Sequence, residues 1–249
     1  VVNNISGFNS IRFMRLFLRD FEEPIICRFA TFELVRSDWR TYNLGLQEEG
    51  DYIPSQGDGE GSFYVGTVSI EENSNRTPIP YLLPPGIERE TIAGLNTYQI
   101  NEQSLTMKAI GLTDGDARAI YKSTSYDLRN FNTLQMAIHA ESVNSSNDVQ
   151  KGDITTFIRL GSDFTDNYYE YEIPVEITPW GVGKDTLAIW PVANQMVVYL
   201  DSLVSLKMER NLAVRQGQLS SNLVPYVKHL ESGNRMTIVG NPNLGDVTT

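Results

Sequence analysis

The sequence predicts a mainly β, antiparallel, jelly-roll-like (galactose-binding-like) β-sandwich with one or two short helices. Three observations predict it. Apolar and polar residues alternate with a period of two over several short stretches, as side chains do on the two faces of a strand. Tyr, Phe, Thr, Ser and Asn are prominent, which favours strands joined by polar turns. The strand candidates follow one another with few helical segments between them, the pattern of a sandwich.

The elements follow in order. Residues 12–19, Arg-Phe-Met-Arg-Leu-Phe-Leu-Arg, form an apolar run, and after a turn-like stretch at 20–24 a second run covers 25–36. The pair reads as a hairpin or as two sequential strands. Residues 43–62 are rich in Gly, Gln, Glu, Asp and Ser and read as a loop, and 63–70 read as a strand. Residues 71–86 carry Pro78, Pro80, Pro84, Pro85 and Gly86, which break helix and strand alike and mark a boundary. A short helix is expected over 87–94.

Beyond residue 96 the alternation tightens. Leu105, Met107 and Ala109 share one face of a strand, and Thr113-Asp114-Gly115-Asp116 is a turn. Leu134, Met136, Ile138 and Ala140 alternate with Thr133, Gln135, Ala137 and His139. After a polar loop at 144–152, Ile154, Thr156, Ile158 and Leu160 alternate with Thr155, Phe157 and Arg159. The cleanest strand is 168–177: Tyr169, Tyr171, Ile173, Val175 and Ile177 lie on one face, and Tyr168, Glu170, Glu172, Pro174 and Glu176 on the other. Three glutamates on one face predict a sheet with a wet side and a dry side, and Pro174 predicts an edge or a bulge. Asp201 or Ser202 is expected to cap a helix running to about Val214, with Leu203, Leu206 and Leu212 on its inner stripe. The expected organisation is a strand-rich N-terminal part at 1–80, read as the end of a preceding sandwich, then a sandwich domain at 81–214 and a connecting segment at 215–249. One complete sandwich is expected within 96–200.

Composition sets limits on function. The chain has 249 residues, of which 41% are hydrophobic, enough for one sizeable core or two smaller ones. Its formal charge of −11 repels nucleic acid and anionic membrane surfaces. The single cysteine, Cys27, lies in an apolar run and excludes an internal disulfide. Val1-Val2-Asn3-Asn4 has neither a basic nor an apolar leader region, so the start reads as an internal cut. Gly240-Asn241-Pro242-Asn243-Leu244-Gly245-Asp246 reads likewise as a turn leading onward.

Chemistry-bearing patterns are sparse, and no catalytic, cofactor-binding or metal-binding residue is assigned. His139 and His229 with one cysteine cannot assemble a His/Cys zinc cluster. His139, on the polar face of its strand, reads as a hydrogen-bonded structural histidine rather than a base. Neither G-x-S-x-G, a P-loop, G-x-G-x-x-G nor H-E-x-x-H occurs. Glu170 and Glu172 read as a solvated strand face rather than a glycosidase pair. Asp163, Asp166 and Asn167 offer oxygen ligands for calcium, but the EF-hand register is absent and a plain acidic turn is the simpler reading. Trp180, Trp190, Tyr52 and Tyr64 would form a sugar-stacking platform if they converged, and core or rim packing if they did not. A carbohydrate-binding jelly-roll module is therefore the alternative to a purely structural one.

Longer words carry a resemblance. They include Leu34-Val35-Arg36-Ser37-Asp38-Trp39-Arg40-Thr41-Tyr42, Asn101-Glu102-Gln103-Ser104-Leu105, Asp114-Gly115-Asp116-Ala117-Arg118 and Tyr126-Asp127-Leu128-Arg129-Asn130. Met136-Ala137-Ile138-His139-Ala140-Glu141, Phe157-Ile158-Arg159-Leu160-Gly161-Ser162-Asp163, Asn167-Tyr168-Tyr169-Glu170-Tyr171 and Gly240-Asn241-Pro242-Asn243-Leu244-Gly245 continue it in order. Together they resemble the SprA (Sov) family of the Bacteroidetes. The resemblance implies a giant outer-membrane β-barrel translocon of the type IX secretion system, linked to gliding motility. The implied partners are the rest of the parent barrel, a smaller PorV-like barrel, a periplasmic plug and secreted cargo, with no nucleic acid. It carries no catalytic motif. The expected placement is a soluble insertion, as an extracellular cap or a periplasmic domain, without direct lipid contact.

Overall fold

Period-two alternation becomes strands wherever a partner strand lies alongside. The computed structural model describes residues 23, 26, 39–47, 52–53, 61–91, 99–112, 115–145, 149–245 and 247. The expected strands at 12–19 and 25–36, apart from single positions, and Cys27 lie outside the described residues. Residues 38–249 form one compact unit, to which the following description belongs.

In chain order the elements are β1 (Arg40–Gln47), β2 (Tyr52–Ile53), β3 (Ser62–Ser69), α1 (Ile70–Asn73), β4 (Gln103–Ile110), β5 (Asp116–Tyr121), β6 (Thr133–Ala137), β7 (Thr155–Gly161), β8 (Tyr168–Pro174), α2 (Thr186–Ile189), β9 (Gln195–Tyr199), α3 (Leu200–Arg215), β10 (Tyr226–His229) and β11 (Arg235–Val239). The fold is mainly β, and the strand pairs are antiparallel, as the alternation predicts. The strands divide among a four-stranded sheet β10-β11-β8-β7, a three-stranded sheet β2-β1-β5 and two ribbons, β3-β4 and β6-β9.

The main core lies between one face of the four-stranded sheet and the β6-β9 ribbon with α3. Leu160, Tyr169, Tyr171, Ile173, Met236 and Ile238 come from the sheet, and Met196, Val198, Leu203 and Leu206 from the opposing elements. A second, smaller core gathers Ile79, Tyr81, Ile189 and Trp190, with Val68 and Ile70 packed against it. The proline-rich stretch at 71–86 thus contributes buried side chains. Backbone pairing runs across the 80/81 division through β1-β5 and β3-β4, and across 214/215 through β8-β11.

Several expectations are corrected. The loop read at 43–62 holds most of β1 and all of β2. Of the helix expected over 87–94, residues 87–91 are not helical and 92–94 lie outside the described residues. The expected helix after Asp201 is observed, but it starts at Leu200, and Tyr199 at its N-cap gives no side-chain hydrogen bond. Its buried positions are Leu200, Leu203, Leu206, Arg210 and Ala213, whereas Leu212 lies on the outward side with Val204 and Met208. A complete sandwich is expected within 96–200, but the four-stranded sheet extends beyond that range, because β10 and β11 bring residues 226–239 against β8.

The largest correction concerns β8. It is a central strand between β7 and β11, and Pro174 ends it. Its glutamate face is not wet: Glu170 is 6% and Glu172 8% exposed. Each carboxylate meets a cross-strand arginine, where the pairing register sets Arg159 opposite Glu170 and Arg235 opposite Glu172. Arg159 Nε donates to Glu170 Oε2 at 2.6 Å, and Arg235 Nε to Glu172 Oε2 at 2.6 Å. The Arg159 guanidinium also lies 4.2 Å over the Tyr168 ring, a cation–π contact. Buried charge is tolerated here because every carboxylate is paired and hydrogen-bonded.

Candidate functional site

Of the sequence-nominated polar residues, His139 makes the most connections. It follows β6, and period-two spacing puts Glu141 on the same side two residues on. Glu141 forms an isolated parallel bridge with Thr178, just beyond β8. Around this bridge four segments meet: 76–82, 139–141, 176–178 and 185–190.

His139 Nδ1 lies 2.8 Å from the carbonyl oxygen of Ile189, and Nε2 lies 3.2 Å from Glu141 Oε2. The Thr178 hydroxyl is 3.3 Å from Nδ1 and donates to Ala188 O at 3.2 Å. The Arg76 guanidinium grips both oxygens of Glu141, and its Nε donates to Ile79 O at 2.9 Å. The imidazole meets the Trp190 ring edge-on at 5.8 Å, and Trp190 meets Tyr81 edge-on at 6.3 Å. Tyr81 donates to Glu102, so the 2.6 Å contact with Ser104 Oγ has serine as donor. Nearby, Asn194 is fully buried and closes both backbone groups of Glu176, accepting from its N–H at 2.7 Å and donating to its carbonyl at 2.8 Å.

The electrostatics follow from these contacts. Burial alone would push the Glu141 carboxyl up, but the hydrogen bonds from His139 and Arg76 outweigh it and hold the group below the usual range. Burial and the Glu102 carboxylate push the Tyr81 phenol up to about 12. A general base must present a free lone pair to a substrate proton. His139 does not, since each ring nitrogen faces a protein oxygen. The cluster is therefore a polar clamp joining four segments to the second core.

The clamp makes a pH prediction. Because the Glu141 pKa is lowered on folding, its stabilisation is present above the unfolded value and is lost as pH falls through the folded one. The urea midpoint is expected to fall between pH 5 and pH 3, and Glu141→Gln is expected to flatten that slope while lowering stability at pH 7. An unchanged slope in the variant would remove Glu141 from the role.

The other nominated residues are not brought into one site. Asp163 accepts from the backbone N–H groups of Thr165, Asp166 and Asn167 at 3.2, 2.7 and 2.8 Å, and from Asn167 Nδ2 at 2.7 Å. These bonds overcome burial and hold its carboxyl below the usual range. Asn167 Oδ1 in turn accepts from Asn241 N–H at 2.8 Å. The loop is the plain acidic turn, docked on residues 240–241, and a Cβ on Gly240 would stand 1.8 Å from Asp166 O. Among the described residues no group of three or more His, Cys, Asp or Glu could hold a metal ion. Trp190 is buried in the second core and donates to Leu82 O at 2.9 Å. Trp180 donates to Ser142 O at 3.2 Å, and Tyr64 is 58% exposed on β3. No ring contact joins Trp180, Trp190 and Tyr64, and the side chain of Tyr52 lies outside the described residues. His229 is exposed on β10.

Arg76 and Glu141 were not singled out by sequence reasoning. The shared face of His139 and Glu141 was the available local signal, whereas Arg76 lies 65 residues away.

Among the described residues, no helix is long and apolar enough to cross a membrane. A family model described as motility related/secretion protein matches residues 1–249. No curated protein matches.

Proposed function

The chain belongs to the SprA_N family of motility related/secretion proteins, and from that premise we propose that it is a non-catalytic structural and interaction module of an outer-membrane protein-secretion translocon. The family is a secretion and motility one, and in this reading the translocon is that of the type IX secretion system. In this reading the chain is a soluble insertion on the parent barrel, on the extracellular or the periplasmic side. A PorV-like barrel and secreted cargo are its partners, nucleic acid is not, and it makes no direct lipid contact.

One observation carries the non-catalytic reading. Both ring nitrogens of His139, the residue best placed for acid–base work, are committed to protein oxygens. The paired glutamates of β8 support it, since each is buried and occupied by an arginine. The acidic charge agrees with partners other than nucleic acid.

The test is complementation in cells whose secretion depends on the parent protein. Removing residues 99–245 is expected to abolish export of a reporter cargo and surface motility. His139→Asn is expected to leave both at least half intact wherever the protein still accumulates. Normal export after the deletion would refute a role in secretion. Loss of export in a well-folded His139→Asn protein would refute the non-catalytic reading.

A further inference from the structure

The β3-β4 ribbon is paired over its whole length, and among the described residues no further strand lies along its sides. Eight consecutive residue pairs run from Ser62↔Ile110 to Ser69↔Gln103 without a bulge. At about 3.4 Å per residue the ribbon is about 27 Å long. One end is anchored: Val68 packs on the second core, and Ser104 Oγ meets Tyr81 OH. Elsewhere Tyr64 and Met107 are exposed, the latter by 50%, and Val65, Leu105 and Ile110 by 38–44%.

The phase of the ladder can be fixed. Ile70 N–H donates to Glu102 O at 3.1 Å, so that facing pair is hydrogen-bonded. In an antiparallel ladder hydrogen-bonded and non-hydrogen-bonded pairs alternate. The pairs 68/104, 66/106, 64/108 and 62/110 therefore point their backbone groups inward. Those of Gln103, Leu105, Met107 and Ala109 point out along the free side of β4. On β3 the corresponding row is shortened, because Asn73 Oδ1 takes the Ser69 N–H at 2.9 Å and α1 begins there.

We propose that the outer edge of β4 accepts a further β-strand from an extended protein segment with alternating apolar side chains. Three features define that partner. A row of outward N–H and C=O groups is complemented along its length only by another extended backbone. Phe63, Val65, Leu105, Met107 and Ala109 share one face of the ribbon, so the incoming strand puts apolar residues on that face. Lys108 lies on the other face with Thr106 and Ser104, and has no carboxylate partner among the described residues, so an acidic residue fits beside it. The edge has no proline and no bulge, two of the usual guards against strand addition, and Lys108 is its one charged residue. A two-stranded ribbon by itself is marginal in water, which a third strand remedies. Hydrocarbon is the wrong occupant for this edge, because it cannot satisfy backbone hydrogen bonds.

The probe is a fluorescein-labelled nonapeptide, Thr-Val-Thr-Val-Glu-Val-Thr-Val-Thr, titrated onto the 249-residue chain. Saturable anisotropy is expected, with at least tenfold slower amide exchange at Leu105, Met107 and Ala109. Met107→Pro removes an outward donor only, so it is expected to weaken binding at least tenfold while the inward amides of Tyr64, Gly66, Thr106 and Lys108 stay protected. If that variant loses the ribbon, Leu105→Lys/Met107→Lys leaves the backbone untouched and is expected to weaken binding by the same factor. Absent protection at the three amides, or full binding by the double lysine variant, would overturn the proposal. So would attachment to phosphatidylcholine vesicles without peptide binding, which would give the apolar face to lipid.

Discussion

Tyr171→Glu is expected to destabilise the 38–249 unit by about 4 kcal/mol or more. Tyr171 sits in the centre of β8 with its ring in the main core, opposite Met236 on β11 and Ile158 on β7. Its hydroxyl accepts from Asn234 Nδ2 at 2.9 Å. Glutamate would lose the ring's apolar burial and place an unpaired carboxylate among Leu160, Met196 and Ile238. Tyr171→Phe keeps the ring and forfeits one hydrogen bond, so about 1 kcal/mol is expected. Urea unfolding of the two variants beside the parent chain makes the comparison. Equal costs for Phe and Glu would show that the ring is not in the core.

The second large effect belongs to the opposite face. Glu170→Ala is expected to cost about 3 kcal/mol, because it leaves the Arg159 guanidinium confined without its carboxylate. Both side chains are largely buried, at 15% and 7% exposure, so solvent screening takes little from the pair. Replacing both partners together, as Arg159→Met/Glu170→Leu, is expected to recover at least 1 kcal/mol of the loss, since no lone charge remains. Glu172→Tyr follows the same logic. A wet face would make it nearly neutral, whereas the Arg235 contact predicts a cost of about 2 kcal/mol or more. The double-mutant cycle and the Glu172→Tyr midpoint decide the matter. Costs below about 0.5 kcal/mol for both single glutamate variants would restore the solvated face.

These two faces separate what is local from what is not. The alternation of Tyr169, Tyr171 and Ile173 with Tyr168, Glu170 and Glu172 is a property of an extended backbone, so it was legible before any partner was known. The same holds for β4, β6, β7 and the helix near 200–215, whose periods are written in consecutive residues. The acidic turn at Asp163 was legible too, because an aspartate can bond backbone amides two to four residues ahead.

Burial of the second face was not legible, because it depends on which strands come to lie on either side of β8. Arg159 is 11 residues from Glu170, but Arg235 is 63 residues from Glu172, beyond any local period. The strands β10 and β11 that bring Arg235 there have four and five residues, too short for a clear pattern of their own. The His139 clamp has the same origin, for Arg76 and Ile189 reach it from segments 65 and 50 residues away. Local sequence thus determined which side chains share a face, since backbone geometry sets that residue by residue. The tertiary structure decided which faces are covered and which charges are paired, since burial and ion pairing depend on neighbours supplied from elsewhere in the chain.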